Sequence, residues 1–262
     1  MAGSVRVSRD DGVATVILEN VERRNAINVA MWRALAHVFT SFADEGKGLR
    51  AVTLRGAPEG GAFSAGADLS EFPEVRGTTE AALAYRKETH AALDAIYACP
   101  VPVLALIDGP CVGGGLEVAL CADLRLGTDR STFALPITRL SNAAELDNVH
   151  RLATIAGPGL ATEILVTAGS ISAERAYALG LLNWVGSIDA LEDAARELVD
   201  RILAGAPAAV RLAKQGLRAI QKPTPGSEEA YEQGIHRVLS CRDFHEGTRA
   251  FLERRKPAFT GE

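Results

Sequence analysis

Glu117 is the one charge inside the apolar run "GLEVALCA" (115–122), and three glycines, Gly113, Gly114 and Gly115, lead into that run. A helix starting there would expose N–H groups without intrahelical partners at its positive end. Glycine lets a ligand atom come close to such a backbone. The combination suits an anion, or the oxyanion that develops on a carbonyl under attack. Ala65-Gly66-Ala67 in "FSAGADLSEF" (63–72) follows a strand and turn pattern and offers a second donor. The same glycines also suit tight turns alone. Neither stretch has the spacing of a dinucleotide fingerprint or a P-loop, and no G-x-S-x-G serine is present.

Burial of Glu117 without a cation would raise its pKa and make it a proton donor or base near neutral pH. The alternatives are a surface position or a buried ion pair. A second acid, Glu145, stands in "LSNAAELDNVHRL". Asn142-x-x-Glu145 also reads as a capping box for a helix beginning near Leu146. His150 could orient a carboxylate, or simply be solvated. No His or Cys spacing fits a metal, and none is expected.

Such residues need a scaffold. Residues 5–7 and 13–18 read as short strands around the turn "SRDDG". Residues 29–45 read as a helix capped by Asn28, with Trp32, Leu35, Phe39 and Phe42 on its apolar face. Residues 51–54, 102–107 and 124–126 are further strands, the apolar second of these as in a buried parallel sheet. Residues 69–89 read as a mobile helix–loop with a start signal at Thr79. After about residue 145 the strand signal fades, and helices are expected over 146–156, 160–168, 173–179, 191–204, 208–220, 227–239 and 244–255. Strands alternating with helices predict an α/β core over residues 1–200, with a C-terminal helical region over 201–262.

The 262 residues are 47% hydrophobic and 23% charged, enough for one sizeable core. A net charge of −5 gives no overall attraction to nucleic acid or anionic membrane. Cys99, Cys111, Cys121 and Cys241 form no C-x-x-C pair, the N-terminus has no apolar signal core and no run is long enough to span a membrane. A cytoplasmic protein is expected.

Taken together, "FSAGADL" and "GPCVGGGLEVALCADLRL" resemble the enoyl-CoA hydratase/isomerase (crotonase) superfamily. "ERRNAIN", "SISAERAYALGLLNWV" and "FLERRKPAF" extend the resemblance over nearly the whole chain. It implies a spiral of ββα units with a C-terminal helical trimerisation region, assembled as a homotrimer or a dimer of trimers. It further implies an acyl-CoA thioester substrate, with coenzyme A as part of the substrate and no other cofactor. The carbonyl oxygen would sit between the N–H groups of Ala67 and Gly114. Glu117 matches the first of two glutamates in the family's hydratases, whereas the second would stand where Pro136-Ile137 is found. That departure puts two-glutamate hydration in doubt. Glu145 matches the acidic base of several isomerases and the carboxylate nucleophile of a dehalogenase branch.

By the same resemblance, Arg23 or Arg24 and Ala26 lie beside CoA, and Asp68 lies near its adenine end. Ala65, Leu69 and Ile137 line the substrate site, while Lys256 and Phe259 reach CoA, often from a neighbouring subunit. Leu135 and Ile137 suggest an apolar wall for a bulky or aliphatic acyl group. The expected function is an acyl-CoA enzyme that shifts or hydrates an enoyl double bond with Glu145 and Glu117. The alternatives are a catalytically idle acyl-CoA-binding protein and an acyl-CoA C–C or thioester hydrolase using Glu145 and His150.

Overall fold

In the computed structural model, residues 3–44 and 48–262 are described. The chain opens with an antiparallel hairpin, β1 (Ser4–Asp10) and β2 (Val13–Glu19), turned at Asp11-Gly12 with both residues in the left-handed region. Helix α1 (Val29–Asp44) follows, capped by Asn28, whose Oδ1 accepts from the Met31 amide at 2.8 Å. Trp32, Leu35, Phe39 and Phe42 are all buried, as their spacing predicts. Glu45, the expected last residue of that helix, lies outside the described residues.

Strands β3 (Ala51–Gly56), β4 (Val103–Ile107), β5 (Pro110–Val112), β6 (Leu124–Thr128), β7 (Thr132–Ala134), β8 (Ser170–Ser172) and β9 (Trp184–Gly186) complete two sheets. The larger runs β1-β2-β3-β4-β6-β9 and is parallel from β2 onward; the smaller runs β5-β7-β8. The remaining helices are α2 (Phe72–Val75), α3 (Thr79–Ala98), α4 (Gly114–Cys121), α5 (Leu146–Thr167), α6 (Ala173–Ala178), α7 (Ile188–Leu203), α8 (Pro207–Gln221), α9 (Ser227–Ser240) and α10 (Arg242–Leu252). Strand β4 shows why the sheet is covered on both faces. Side chains alternate across a strand, so Val103, Ala105 and Ile107 enter the main core while Leu104 and Leu106 pack against Leu191 and Ala195 of α7.

Two expectations are corrected. Residues 69–89 are more regular than expected: a 3₁₀ turn (Leu69–Glu71), the single turn α2 and the long helix α3, which starts at Thr79 as expected and is capped by Thr78. Strand structure does continue after residue 145: β8 joins the small sheet and β9 closes the large one. Both have three residues, too few for a period of two to show. The expected helices 146–156 and 160–168 are both present, as the two helical stretches of α5 that meet at a kink at Gly157 (φ 81°). Pro158 disfavours helical backbone at the residue before it. Among the described residues, no helix is long and apolar enough to cross a membrane.

Asn25 and Arg125 anchor the loops that lead to the glycine-rich turns. Asn25, fully buried in "ERRNAIN", donates from Nδ2 to the carbonyls of Ala57 and Ala62, each at 2.8 Å. Its motif therefore ties two loops together. Arg125, buried on β6, donates to Ala122 O (2.7 Å) at the C-terminal end of α4 and to Leu181 O (2.8 Å). Helix ends leave carbonyls that need donors. Arg125→Ala should therefore cost about 2–4 kcal/mol by orphaning buried acceptors, lowering the Tm by roughly 5–15 °C. A thermal melt within a degree or two of wild type would show that water replaces the guanidinium.

Candidate active site

The turn at residues 64–67 is held edge-on to the start of α4. Ser64 donates its amide to Pro110 O (3.1 Å) and accepts from the Val112 amide (3.0 Å). Ile27 donates to Gly66 O (2.7 Å), and Asp68 donates to Ile27 O (3.0 Å). These bonds consume the groups on either side of Ala67. Gly66 has φ 98°, and a Cβ there would stand 2.8 Å from Val112 O and 3.3 Å from the Gly114 nitrogen. Only glycine permits that approach. On the other side, Gly113 (φ 54°) donates to Ala134 O at 2.9 Å and accepts from the Glu117 amide at 3.0 Å. Among the described residues, neither the Ala67 nor the Gly114 amide has a protein acceptor. Two unspent donors thus flank one point.

They open into a cleft of 430 Å³ between the turn, α3 and the start of α5. Of the residues singled out in the sequence, Ala65, Ala67, Leu69 and Gly114 line it, together with Glu117, Ile137 and Glu145. Arg24, Ala26, Asp68, Lys256 and Phe259 do not. Arg24 is exposed; the buried Asp68 carboxylate accepts from Arg23 (3.2 Å) and from Ser70 Oγ (2.7 Å). Lys256 is exposed beyond α10, and Phe259 folds back over Gly247 of that helix. A larger cavity of 610 Å³ beside α8 and α9 contains none of these residues. Its lysines and Arg218 already hold carboxylates, Lys214 and Arg218 sharing Asp123 and Lys222 pairing with Asp147.

Glu117 sits half-buried in the first turn of α4. Its Oε1 accepts from Asn148 Nδ2 at 2.8 Å, and Asn148 Oδ1 accepts from Arg151 at 2.9 Å. Burial pushes the Glu117 carboxyl above its ordinary pKa and the Glu145 charge adds to this, while the Asn148 bond and Arg151 oppose it. Glu145 is the opposite case. Both its oxygens are held by Arg86 of α3, Oε2 at 2.6 Å from Nη2. That pairing holds the Glu145 carboxyl below its ordinary pKa. His90 Nε2 stands 3.9 Å from Oε2.

The capping box does not form. Glu145 is itself the cap residue of α5 and makes no side-chain cap bond, while Asn142 Oδ1 accepts from Arg76 at 2.9 Å. The guanidinium of Arg86 outcompetes a neutral backbone amide for the carboxylate. The histidine beside Glu145 is His90; His150 is exposed, and Asp147 pairs with Lys222 at 2.6 Å.

A family model described as enoyl-CoA hydratase/isomerase matches residues 8–262. The chain belongs to this family. A carnitinyl-CoA dehydratase of Proteus mirabilis is 34% identical over the full length of both chains. A methylmalonyl-CoA decarboxylase of Escherichia coli is 34% identical over 81% of this chain and 82% of that protein. A crystal structure of an enoyl-CoA hydratase/carnithine racemase from Magnetospirillum magneticum superposes with a TM-score of 0.91 at 40% identity, covering 98% of this chain and 96% of the other. The fold is therefore crotonase-like, and the chain is an acyl-CoA enzyme of the enoyl-CoA hydratase/isomerase family.

Within this family member, sequence reasoning missed Arg76, Tyr85, Arg86, His90 and Asn148. All but His90 line the cleft. Arg86 and His90 are one helical turn apart, so both can face the same partner, but nothing local names Glu145, 59 residues from Arg86, as that partner. Asn148 lies three residues after Glu145 and is almost wholly buried. A polar residue on the apolar face of α5 was the available signal.

Proposed function

We propose that this enzyme shifts the double bond of an enoyl-CoA, with Glu117 carrying the proton. The observation behind this reading is that the Glu117 carboxyl opens into the same cleft as the two unspent amides, with Ile137 in the lining where a second hydratase glutamate would be. The thioester oxygen sits between the Ala67 and Gly114 amides. Each such donor is worth roughly 3 kcal/mol of transition-state stabilisation. Ionised Glu117 takes the proton from the carbon alpha to the carbonyl, and the C–H electron pair moves into a dienolate whose charge rests on that oxygen. The same carboxyl returns the proton to the gamma carbon. The double bond ends conjugated with the carbonyl, and atoms and electrons balance without a co-reactant.

A raised pKa brings the base closer to that of the acidic carbon, which favours transfer. Opposed environments for two carboxyls assign their roles. Glu145 stays ionised on Arg86, and its charge helps hold Glu117 up. Hydration is the competing reading, favoured by the full-length relative being a carnitinyl-CoA dehydratase. Incubation with 3-enoyl- and 2-enoyl-CoA of matched length, with products separated by chromatography, decides. Interconversion of the two enoyl thioesters is expected. Accumulation of 3-hydroxyacyl-CoA would replace this reading with hydration; release of free CoA would replace it with hydrolysis; tight binding without turnover would leave an idle binder.

Assembly as a homotrimer or dimer of trimers belongs to the same reading. Its support is the exposed apolar Ile220 on α8 and Phe251 and Leu252 on α10. Lys256 and Phe259 would then meet a neighbour's CoA.

A further inference from the structure

Arg76 is the cation in the cleft that this chemistry leaves unused. It follows directly after α2 and is half-buried. Its guanidinium lies over the Phe72 ring at 4.7 Å and near the Tyr85 ring at 5.5 Å. Those two rings pack edge to face at 5.9 Å, and Tyr85 OH accepts from Trp32 Nε1 at 3.0 Å. The platform beneath Arg76 is therefore fixed by α1 and α3 together. One Nη2 donor reaches Asn142 Oδ1.

Among the described residues, no carboxylate stands within ion-pairing distance of Arg76, whereas Arg86, the other guanidinium in the lining, holds Glu145 with both of its oxygens in use. A guanidinium has five donors in a planar fork suited to a carboxylate. A half-buried cation that is hydrogen-bonded to a neutral amide oxygen, and that reaches the Glu117 carboxyl only through longer-range attraction, gains from an anion brought by the ligand.

We propose that Arg76 receives a carboxylate at the far end of the acyl chain, so that the preferred substrates are CoA monothioesters of dicarboxylic acids. The proposal rests on the acyl-CoA reading of the cleft. Its geometry explains why the cation is stacked and oriented: a planar fork held on two rings loses little freedom when it grips a carboxylate. Glu145 stays ionised but has both oxygens held by Arg86, so it is not an ion-pair partner of Arg76. Of the expected apolar wall, Ile137 lines the cleft and borders the chain of methylenes between thioester and acid, whereas Leu135 is fully buried behind the lining.

Calorimetry with matched saturated thioesters tests this without turnover. Succinyl-, glutaryl-, adipyl- and suberyl-CoA are compared with butyryl-, valeryl-, hexanoyl- and octanoyl-CoA. At the chain length that spans the cleft, the acid should bind about 10- to 100-fold tighter than its neutral counterpart, as a charge-assisted bond pair allows. Arg76→Met should bring that ratio to near one, and Arg76→Lys should restore part of it. An Arg76 that serves the CoA phosphates instead would weaken acidic and neutral ligands equally, which overturns the proposal. So would neutral thioesters binding as well as acidic ones at every length, with the acyl-CoA reading left intact. Failure of any thioester to bind would remove both.

Discussion

Glu117→Gln should lower kcat for the double-bond shift by roughly 10²–10⁴-fold, the range that a positioned acid–base group contributes. Glutamine has the shape of the acid, and its oxygen can still accept from Asn148 Nδ2, as Glu117 Oε1 does at 2.8 Å. What it lacks is a titratable proton, so thioester affinity should change only a few-fold. The pH dependence carries the sign. Burial raises the Glu117 carboxyl, and the base is its ionised form. Accordingly, kcat/KM should climb with pH along a limb lying above the ordinary carboxylate range, and Glu117→Gln should erase that limb. Asn148→Ala removes the bond that opposes the upward shift, so the same limb should move to higher pH.

Stability follows the same linkage. A carboxyl whose folded pKa lies above its unfolded one stabilises the protein fully at low pH, and that contribution is lost as pH rises through the folded pKa. Glu117→Gln should therefore melt above wild type at neutral pH, with the gap closing near pH 4. A limb in the ordinary carboxylate range for wild type, or unchanged by Glu117→Gln, would show that another group carries the proton.

Gly114→Ala should cost on the order of 10²–10³-fold in kcat, comparable to deleting an oxyanion donor elsewhere. Gly114 already lies in α4, so its backbone accepts alanine. The added methyl would stand 2.9 Å from Trp32 Cζ2 and 3.5 Å from the Ala67 nitrogen. The ring must shift, and the methyl crowds the point where both amides would meet one oxygen. Because the oxyanion exists only along the reaction path, kcat should fall more than KM rises. Circular dichroism and a melt close to wild type would locate the loss in the site. Activity within a few-fold of wild type would mean that the carbonyl does not sit between these amides.

Much of the site was legible because its signals are local. Glycines before an apolar run announce a close backbone approach whatever packs around them, and Gly66 and Gly113 do adopt positive φ. A carboxyl inside "GLEVALCA" announces its own burial. The amphipathic spacing of α1 and the unbroken apolar run of β4 likewise specify which faces turn inward. The three-residue strands β5, β7, β8 and β9 escaped in part because pairing with neighbours, not local periodicity, makes them strands.

The amino-acid sequence by itself determined the order of α/β units, the glycine-rich turns and the single acid in α4, since each depends on backbone freedom and apolar period within a few residues. Only the tertiary structure decided that Arg86 takes Glu145, that Asn148 braces Glu117 and that Arg76 faces the cleft without an ion-pair partner among the described residues. Those outcomes depend on α3 lying across the start of α5, and a charge selects its partner by distance in space, which no spacing along the chain encodes.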